Sequence, residues 1–204
     1  MAPSVLFSAH STFGNQSWIW EHAQCRVFHL IRDPRDVIIS AMHYHSSASE
    51  QWLHRPRKMF GGLSYQGMLK ALPDDHVRFA FEMRHTSRRV IHAMQHWNYC
   101  QANSFECKYE DLIQDVQGLK FVEVLSHLGF ERRESMRARD IFRKNSLFGK
   151  EKPRNDMHIR SGVGRQWASV FNRKTAREFL EQFGDVLIKL RYEPDDSWVE
   201  TLDV

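Results

Sequence analysis

The sequence has few of the residues that mark secreted, metal-binding or membrane-spanning proteins. Only three of its 204 residues are cysteines, and their odd number and uneven spacing argue against a disulfide scaffold and a cysteine-based zinc site. No apolar run approaches the roughly 18 residues that a membrane helix needs. The N-terminus has no basic segment and too short an apolar run for a signal peptide. We therefore expect a reduced, cytoplasmic protein without a membrane span.

Neither sign of charge is in large excess. The chain has 29 lysines and arginines against 25 acidic residues, a formal charge of +4, which permits an anionic ligand but does not require nucleic acid. The basic run at residues 132–144 is interrupted by acids and is typical of a solvated helix face. The 42% of hydrophobic residues and the length are ordinary for one globular domain. We predict a single domain over residues 1–204 that binds no nucleic acid.

The order of apolar and turn-forming segments predicts an α/β fold. Residues 26–32 and 105–109 are apolar enough to form buried parallel strands, and a helix is predicted to follow Asp33. Residues 46–76 are rich in serine, histidine, arginine and glycine and are typical of an irregular insertion with short helical pieces. Further segments with helical character lie at about 73–102, 117–128, 131–144 and 175–190. Strands separated by helices predict a parallel sheet flanked by helices in three layers.

The first segment that could carry chemistry joins a strand to a helix. Residues 32–36 are Arg-Asp-Pro-Arg-Asp, in which Asp33 suits the N-cap and Pro34 the first helical position. At the ligand edge of a parallel sheet, the free N–H groups of this helix and the guanidinium of Arg32 would face a phosphate. Ser40, on the crevice side of the helix, could donate to the same phosphate. A helix cap with a surface arginine explains these residues equally well.

Two more segments have weaker signatures. Residues 158–167 place two glycines between Arg160 and Arg165, which lets a backbone approach an anion closely. A plain surface loop is the commoner interpretation of such a pattern. Tyr109, at the end of the second predicted strand, is placed to stack on a base, although a tyrosine there is more often structural.

Histidines and tryptophans give no clear ligand pattern. The spacing of His43 and His45 spreads them around a helix, and no acidic or cysteine partner follows, so we predict no metal site. Trp97, Trp167 and Trp198 are interpreted as core residues rather than a base-stacking platform.

In this order and spacing, the three segments resemble the sulfotransferase family, whose members use 3′-phosphoadenosine-5′-phosphosulfate. The resemblance runs over residues 5–198 and implies a nucleotide-kinase-like, P-loop-type α/β fold. It implies that Arg32 and Ser40 hold the 3′-phosphate of the nucleotide and that Tyr109 lies near the adenine.

The resemblance also assigns roles to residues outside the first two segments. Arg160, Ser161 and Gly162 are similar to the family's C-terminal loop, which would grip the 3′-phosphate. His10 ends an apolar run, as does the histidine that serves as general base in many small-molecule sulfotransferases. There, a neutral imidazole would take the proton of an acceptor hydroxyl. A solvated or capping histidine is the alternative. Residues 46–76 would help to shape the acceptor site.

The implied activity is sulfuryl transfer from 3′-phosphoadenosine-5′-phosphosulfate to a hydroxyl or amine of a small-molecule acceptor, without a metal. The sequence departs from the family at one point. Family members begin with a strand, a lysine-containing loop for the 5′-phosphosulfate and a helix, and we find no such segment. We therefore expect an N-terminally truncated chain that keeps the 3′-phosphate half of the site. The alternative function is that of a non-catalytic nucleotide-binding protein. The oligomeric state stays open, with a homodimer as one possibility.

Overall fold

The computed structural model describes residues 25–149 and 163–203. The chain divides into two compact units, of which the first holds residues 25–32 and 96–149 and the second holds residues 33–95 and 163–203. The strands in these ranges are β1 (Val27–Ile31) and β2 (Ser104–Lys108). The helices are α1 (Pro34–Ser47), α2 (Gln51–His54), α3 (Tyr65–Ala71), α4 (Asp75–Arg84), α5 (Thr86–His96), α6 (Tyr109–Gln114), α7 (Leu119–His127), α8 (Arg132–Asn145), α9 (Arg173–Phe183) and α10 (Val186–Lys189). Short 3₁₀ turns lie at Lys58–Phe60, Leu147–Gly149, Gln166–Ser169 and Asp196–Thr201.

Strands β1 and β2 pair in parallel, which confirms the predicted α/β class with a parallel sheet. Each strand lies within one residue of its predicted position. The prediction that both strands are buried is wrong for much of their length, since Leu30 in β1 is 44% exposed and only Cys107 is buried in β2. Within residues 25–149 and 163–203, each strand has a single strand neighbour, which explains this exposure.

A carboxylate network ties the two strands of the first unit together. His29 and Glu106 face each other in the strand register, with His29 Nδ1 2.8 Å from Glu106 Oε2. Glu106 Oε1 accepts hydrogen bonds from Trp97 Nε1 at 3.0 Å and Ser104 Oγ at 2.8 Å. The His29 ring stacks on Trp97, with ring centres 3.9 Å apart. The predicted core position of Trp97 is confirmed.

Helices α7 and α8 lie close to their predicted positions. Helix α7 ends before Gly129, whose φ of 90° is in the left-handed region, as predicted for a C-terminal cap. The Phe130 N–H then donates to the Leu125 carbonyl at 3.0 Å, which closes the helix end. The rings of Phe121 in α7 and Phe142 in α8 stack with centres 4.4 Å apart. Local cap residues and an apolar contact therefore define this helical pair.

The second unit is built around α1, α4 and α9. Helix α1 packs against α3 and α4, and α4 packs against α9. The buried apolar residues of this core include Ile38, Ile39, Leu69, Phe79, Met83, Phe179 and Phe183. The predicted helical stretch at 73–102 is two helices that break at His85, and α9 ends at Gly184, whose φ is 52°. The segment 46–76 contains α2, α3 and a 3₁₀ turn.

A buried histidine–glutamate pair lies inside the second unit. The Glu82 side chain in α4 is fully buried, and its Oε1 lies 2.7 Å from Nδ1 of His45 in α1. The Ser87 hydroxyl donates to Glu82 Oε2 at 3.3 Å. His45 therefore has a carboxylate partner within the fold, which the sequence spacing did not indicate.

The break between α4 and α5 places a histidine among aromatic rings. The His85 ring centre lies 4.4 Å from that of Phe81 and 5.3 Å from that of Phe60. Burial lowers the pKa of His85 below its ordinary value of 6.5; the charge of Glu82 opposes this shift, and the charges of Arg57 and Arg84 add to it. The folded protein therefore binds a proton at His85 less readily than the unfolded chain does.

The lowered pKa predicts a pH dependence of stability. As the pH falls from 6.5 towards the folded-state pKa, the unfolded chain takes up a proton at His85 that the folded state does not, so the free energy of unfolding should decrease. Urea denaturation between about pH 5 and pH 7 should show a weaker dependence for His85→Phe than for the unaltered protein. His54→Phe supplies the control variant, because His54 is an exposed residue of α2 and its replacement leaves the aromatic surroundings of His85 in place. An NMR titration that places the pKa of His85 above 6.5 would contradict the prediction.

Candidate functional site

The carboxyl ends of β1 and β2 bring two predicted site residues together. The register pairs Ile31 with Lys108, so Arg32 and Tyr109 are the residues that directly follow the two strands. The guanidinium carbon of Arg32 lies 4.8 Å from the centre of the Tyr109 ring, within the range of a cation–π contact. In parallel α/β proteins, ligands bind at this end of the strands. A cation and an aromatic ring are thus presented where a ligand is expected.

The N-terminus of α1 is closed by its own side chains. Asp33 is the N-cap and Pro34 the first helical residue, as predicted, and Asp33 Oδ1 accepts a hydrogen bond from the Arg35 N–H at 3.0 Å. Asp33 and Asp36 are both buried. The prediction that free N–H groups of this helix face a phosphate is therefore wrong for Arg35, and two carboxylates lie at the positive end of the helix dipole.

Arg35 is almost completely buried, with 1% of its surface exposed. Its Nε and Nη2 donate to the two carboxylate oxygens of Asp33 at 3.0 and 2.8 Å, and Nη2 also lies 2.7 Å from Glu193 Oε1. The guanidinium carbon lies 3.5 Å from the centre of the Trp167 ring and 4.6 Å from that of Trp198. The sequence interpretation assigned no role to Arg35. An arginine close to an N-cap aspartate is the one local signal that pointed to this pair.

Trp167 links the third predicted segment to the first one. Its backbone N–H donates to Asp36 Oδ1 at 3.1 Å, and its indole ring stacks on Arg35. Arg165, two residues earlier, has a φ of 60°, which is unusual for a residue other than glycine. The Arg165 guanidinium carbon lies 5.9 Å from the Trp167 ring centre. The predicted core positions of Trp167 and Trp198 are confirmed.

A family model for the sulfotransferase domain matches residues 5–191 of the chain. The chain belongs to the sulfotransferase family. No curated protein and no solved structure matches it. The resemblance that the ordered motifs indicated is therefore confirmed at the level of the family.

The structure places one of the remaining predicted site residues and leaves the others undescribed. Ser40 lies half-buried on α1, and within residues 25–149 and 163–203 no group hydrogen-bonds to its hydroxyl. That hydroxyl can therefore donate to a ligand. His10, Arg160, Ser161 and Gly162 lie outside the described residues, and their roles stay predictions.

Residues 25–149 and 163–203 contain no group of three or more histidine, cysteine, aspartate or glutamate side chains that could hold a metal ion. Across the same residues, no helix combines the length and apolar character needed to cross a membrane.

Proposed function

We propose that this protein transfers a sulfuryl group from 3′-phosphoadenosine-5′-phosphosulfate to a hydroxyl or amine of a small-molecule acceptor. The observation that supports this most is the contact between Arg32 and Tyr109 at the carboxyl ends of β1 and β2. A guanidinium group forms paired hydrogen bonds with a phosphate, and an aromatic ring offers a face to a purine. The two side chains therefore fit a phosphorylated adenine nucleotide.

The assigned residues divide between the phosphate and the base of the nucleotide. Arg32 would bind the 3′-phosphate through its planar fork, and its contact with the Tyr109 ring limits the orientations that the guanidinium can take. Tyr109 would lie near the adenine. Ser40, Arg160, Ser161 and Gly162 would add phosphate contacts. The nucleotide, when bound, supplies the activated sulfuryl group.

The contribution of the protein to such a transfer is positioning and stabilisation of charge. The bond between sulfur and the bridging oxygen breaks as a bond between sulfur and the acceptor oxygen or nitrogen forms. His10 would take the proton that the acceptor loses, and the bisphosphate nucleotide leaves with the bridging oxygen.

A comparison of two nucleotides tests the nucleotide assignment. Isothermal titration calorimetry should give a much lower Kd for adenosine 3′,5′-bisphosphate than for AMP, because only the bisphosphate carries the group that Arg32 would bind. Equal Kd values for the two nucleotides would contradict the assignment.

Nucleotide binding without transfer is the second candidate function. The contact between Arg32 and Tyr109 supports it equally, because this contact fits a nucleotide and does not report on transfer. The two functions separate when the protein is incubated with the radiolabelled sulfuryl donor and a broad set of hydroxyl and amine acceptors. Transfer of label to an acceptor supports the transferase. Binding of the bisphosphate nucleotide without any transfer supports the second candidate.

A further inference from the structure

Arg35 connects parts of the second unit that are far apart in the sequence. It binds Asp33 at the start of α1, stacks on Trp167 in the 3₁₀ turn at Gln166–Ser169, and reaches Glu193 and Trp198 near the end of the described chain. Two further contacts join the same segments: Asp36 accepts a hydrogen bond from the Trp167 N–H, and the Trp167 and Trp198 rings meet edge to face. The arginine is the common partner of all of them.

The arrangement uses properties that only arginine has. A guanidinium group can form a paired hydrogen bond with one carboxylate in its plane while its flat face stacks on an aromatic ring. Arg35 does both, with Asp33 in the fork and the Trp167 ring centre 3.5 Å from its central carbon. A lysine could keep one ion pair, but it has neither the fork nor the flat face.

The stack on Arg35 also fixes the backbone that precedes Trp167. The Trp167 N–H is held by Asp36, so both the backbone and the ring of this residue are anchored to the start of α1. Arg165 lies two residues earlier with a left-handed φ of 60°. Such a conformation persists when the surrounding structure over-determines it. The anchors on Trp167 supply that constraint.

We propose that Arg35 is a positioning residue for the nucleotide phosphate. By fixing Trp167, it holds residues 163–166, which include Arg165, in one place at the start of α1, so that a phosphate bound there meets a preformed surface. A preformed surface binds more tightly because the loop does not have to be ordered on binding. This inference rests on the proposed function and extends it to the second arginine of the 32–36 motif, which would act without touching the ligand.

The test replaces Arg35 by lysine and follows both binding and local order. For Arg35→Lys, the Kd of adenosine 3′,5′-bisphosphate should rise about 10-fold while the Kd of AMP stays the same. In the protein without ligand, the Trp167 amide should exchange its hydrogen about 10-fold faster, since lysine holds the Trp167 ring less tightly than Arg35 does. Hydrogen exchange needs no ligand, so it reports on the ordering of Trp167 by Arg35 separately from the proposed function.

A matched control separates positioning from general loss of stability. Arg173 lies in the same unit, where it donates to the carbonyl oxygens of Glu200 and Leu202 and does not touch the stack. Arg173→Lys should change neither the nucleotide Kd values nor the hydrogen exchange at Trp167, even if its melting temperature falls as much as that of Arg35→Lys. If Arg35→Lys does not fold, Trp167→Phe, which keeps the backbone N–H and shrinks the stacked ring, should show the same selective loss.

The outcomes distinguish the two proposals from each other. Faster exchange at Trp167 with an unchanged bisphosphate Kd would overturn the positioning role, as would equal losses for the bisphosphate and AMP. Unchanged exchange would show that Arg35 does not order residues 163–167. If the unaltered protein binds no bisphosphate, the proposed function fails, the positioning role fails with it, and the exchange data still decide whether Arg35 orders residues 163–167.

Discussion

Replacing Arg32 by alanine is expected to weaken the binding of adenosine 3′,5′-bisphosphate about 100-fold and to leave the affinity for AMP nearly unchanged. A hydrogen bond to a charged group contributes about 1.5–3 kcal/mol, and about 1.4 kcal/mol corresponds to a tenfold change in Kd. Under the proposed function, Arg32 at the carboxyl end of β1 would form paired hydrogen bonds of this kind with the 3′-phosphate. AMP lacks the 3′-phosphate, so its binding does not use them.

Calorimetry with both nucleotides measures this selectivity, and the same strand provides a control. Arg26 precedes β1 at its opposite end, where its guanidinium donates to the His127 carbonyl at 2.8 Å. Arg26→Ala should leave both Kd values unchanged, although it removes the same charge from the same unit. Equal losses of bisphosphate and AMP affinity in Arg32→Ala would mean that Arg32 does not contact the 3′-phosphate.

The parts of this fold that the sequence predicts are those with local signals. Asp33 and Pro34 mark the start of α1, and Gly129 marks the end of α7, because capping depends on a few neighbouring residues. The positions of Arg32 and Tyr109 at the ends of two parallel strands were predicted, whereas their mutual contact is seen only in the structure. Short-range rules and one topological rule suffice for these features.

Apart from its pair with Asp33, Arg35 contacts residues more than 130 positions away, so no local pattern could predict those contacts. The sequence places Trp167 and Trp198 in the core correctly, but it does not say that a charged side chain lies against them. The break at His85 was also missed, since neither glycine nor proline is there to mark it. Contacts between residues distant in the sequence are set by tertiary packing, which a local pattern does not record.

Replacing Glu82 by alanine is expected to lower the free energy of unfolding by about 3–5 kcal/mol. Glu82 is fully buried, and its carboxylate accepts hydrogen bonds from His45 and Ser87. Its removal leaves two buried polar groups without their partner and opens a cavity at the contact of α1 with α4. Since small domains have a total stability of about 5–15 kcal/mol, the variant should be close to unfolding.

Urea denaturation followed by circular dichroism measures this loss, and an exposed glutamate provides the comparison. Glu181 lies on α9 of the same unit, and Glu181→Ala should change the free energy of unfolding by no more than about 0.5 kcal/mol. A double-mutant cycle with His45→Ala should then give a coupling of about 1–3 kcal/mol, because the second truncation removes a group that the first has already left unpaired. If Glu82→Ala is no more destabilising than Glu181→Ala, the buried pair does not hold α1 and α4 together. The α1–α4 contact would then depend on the apolar side chains Ile38, Ile39 and Met83.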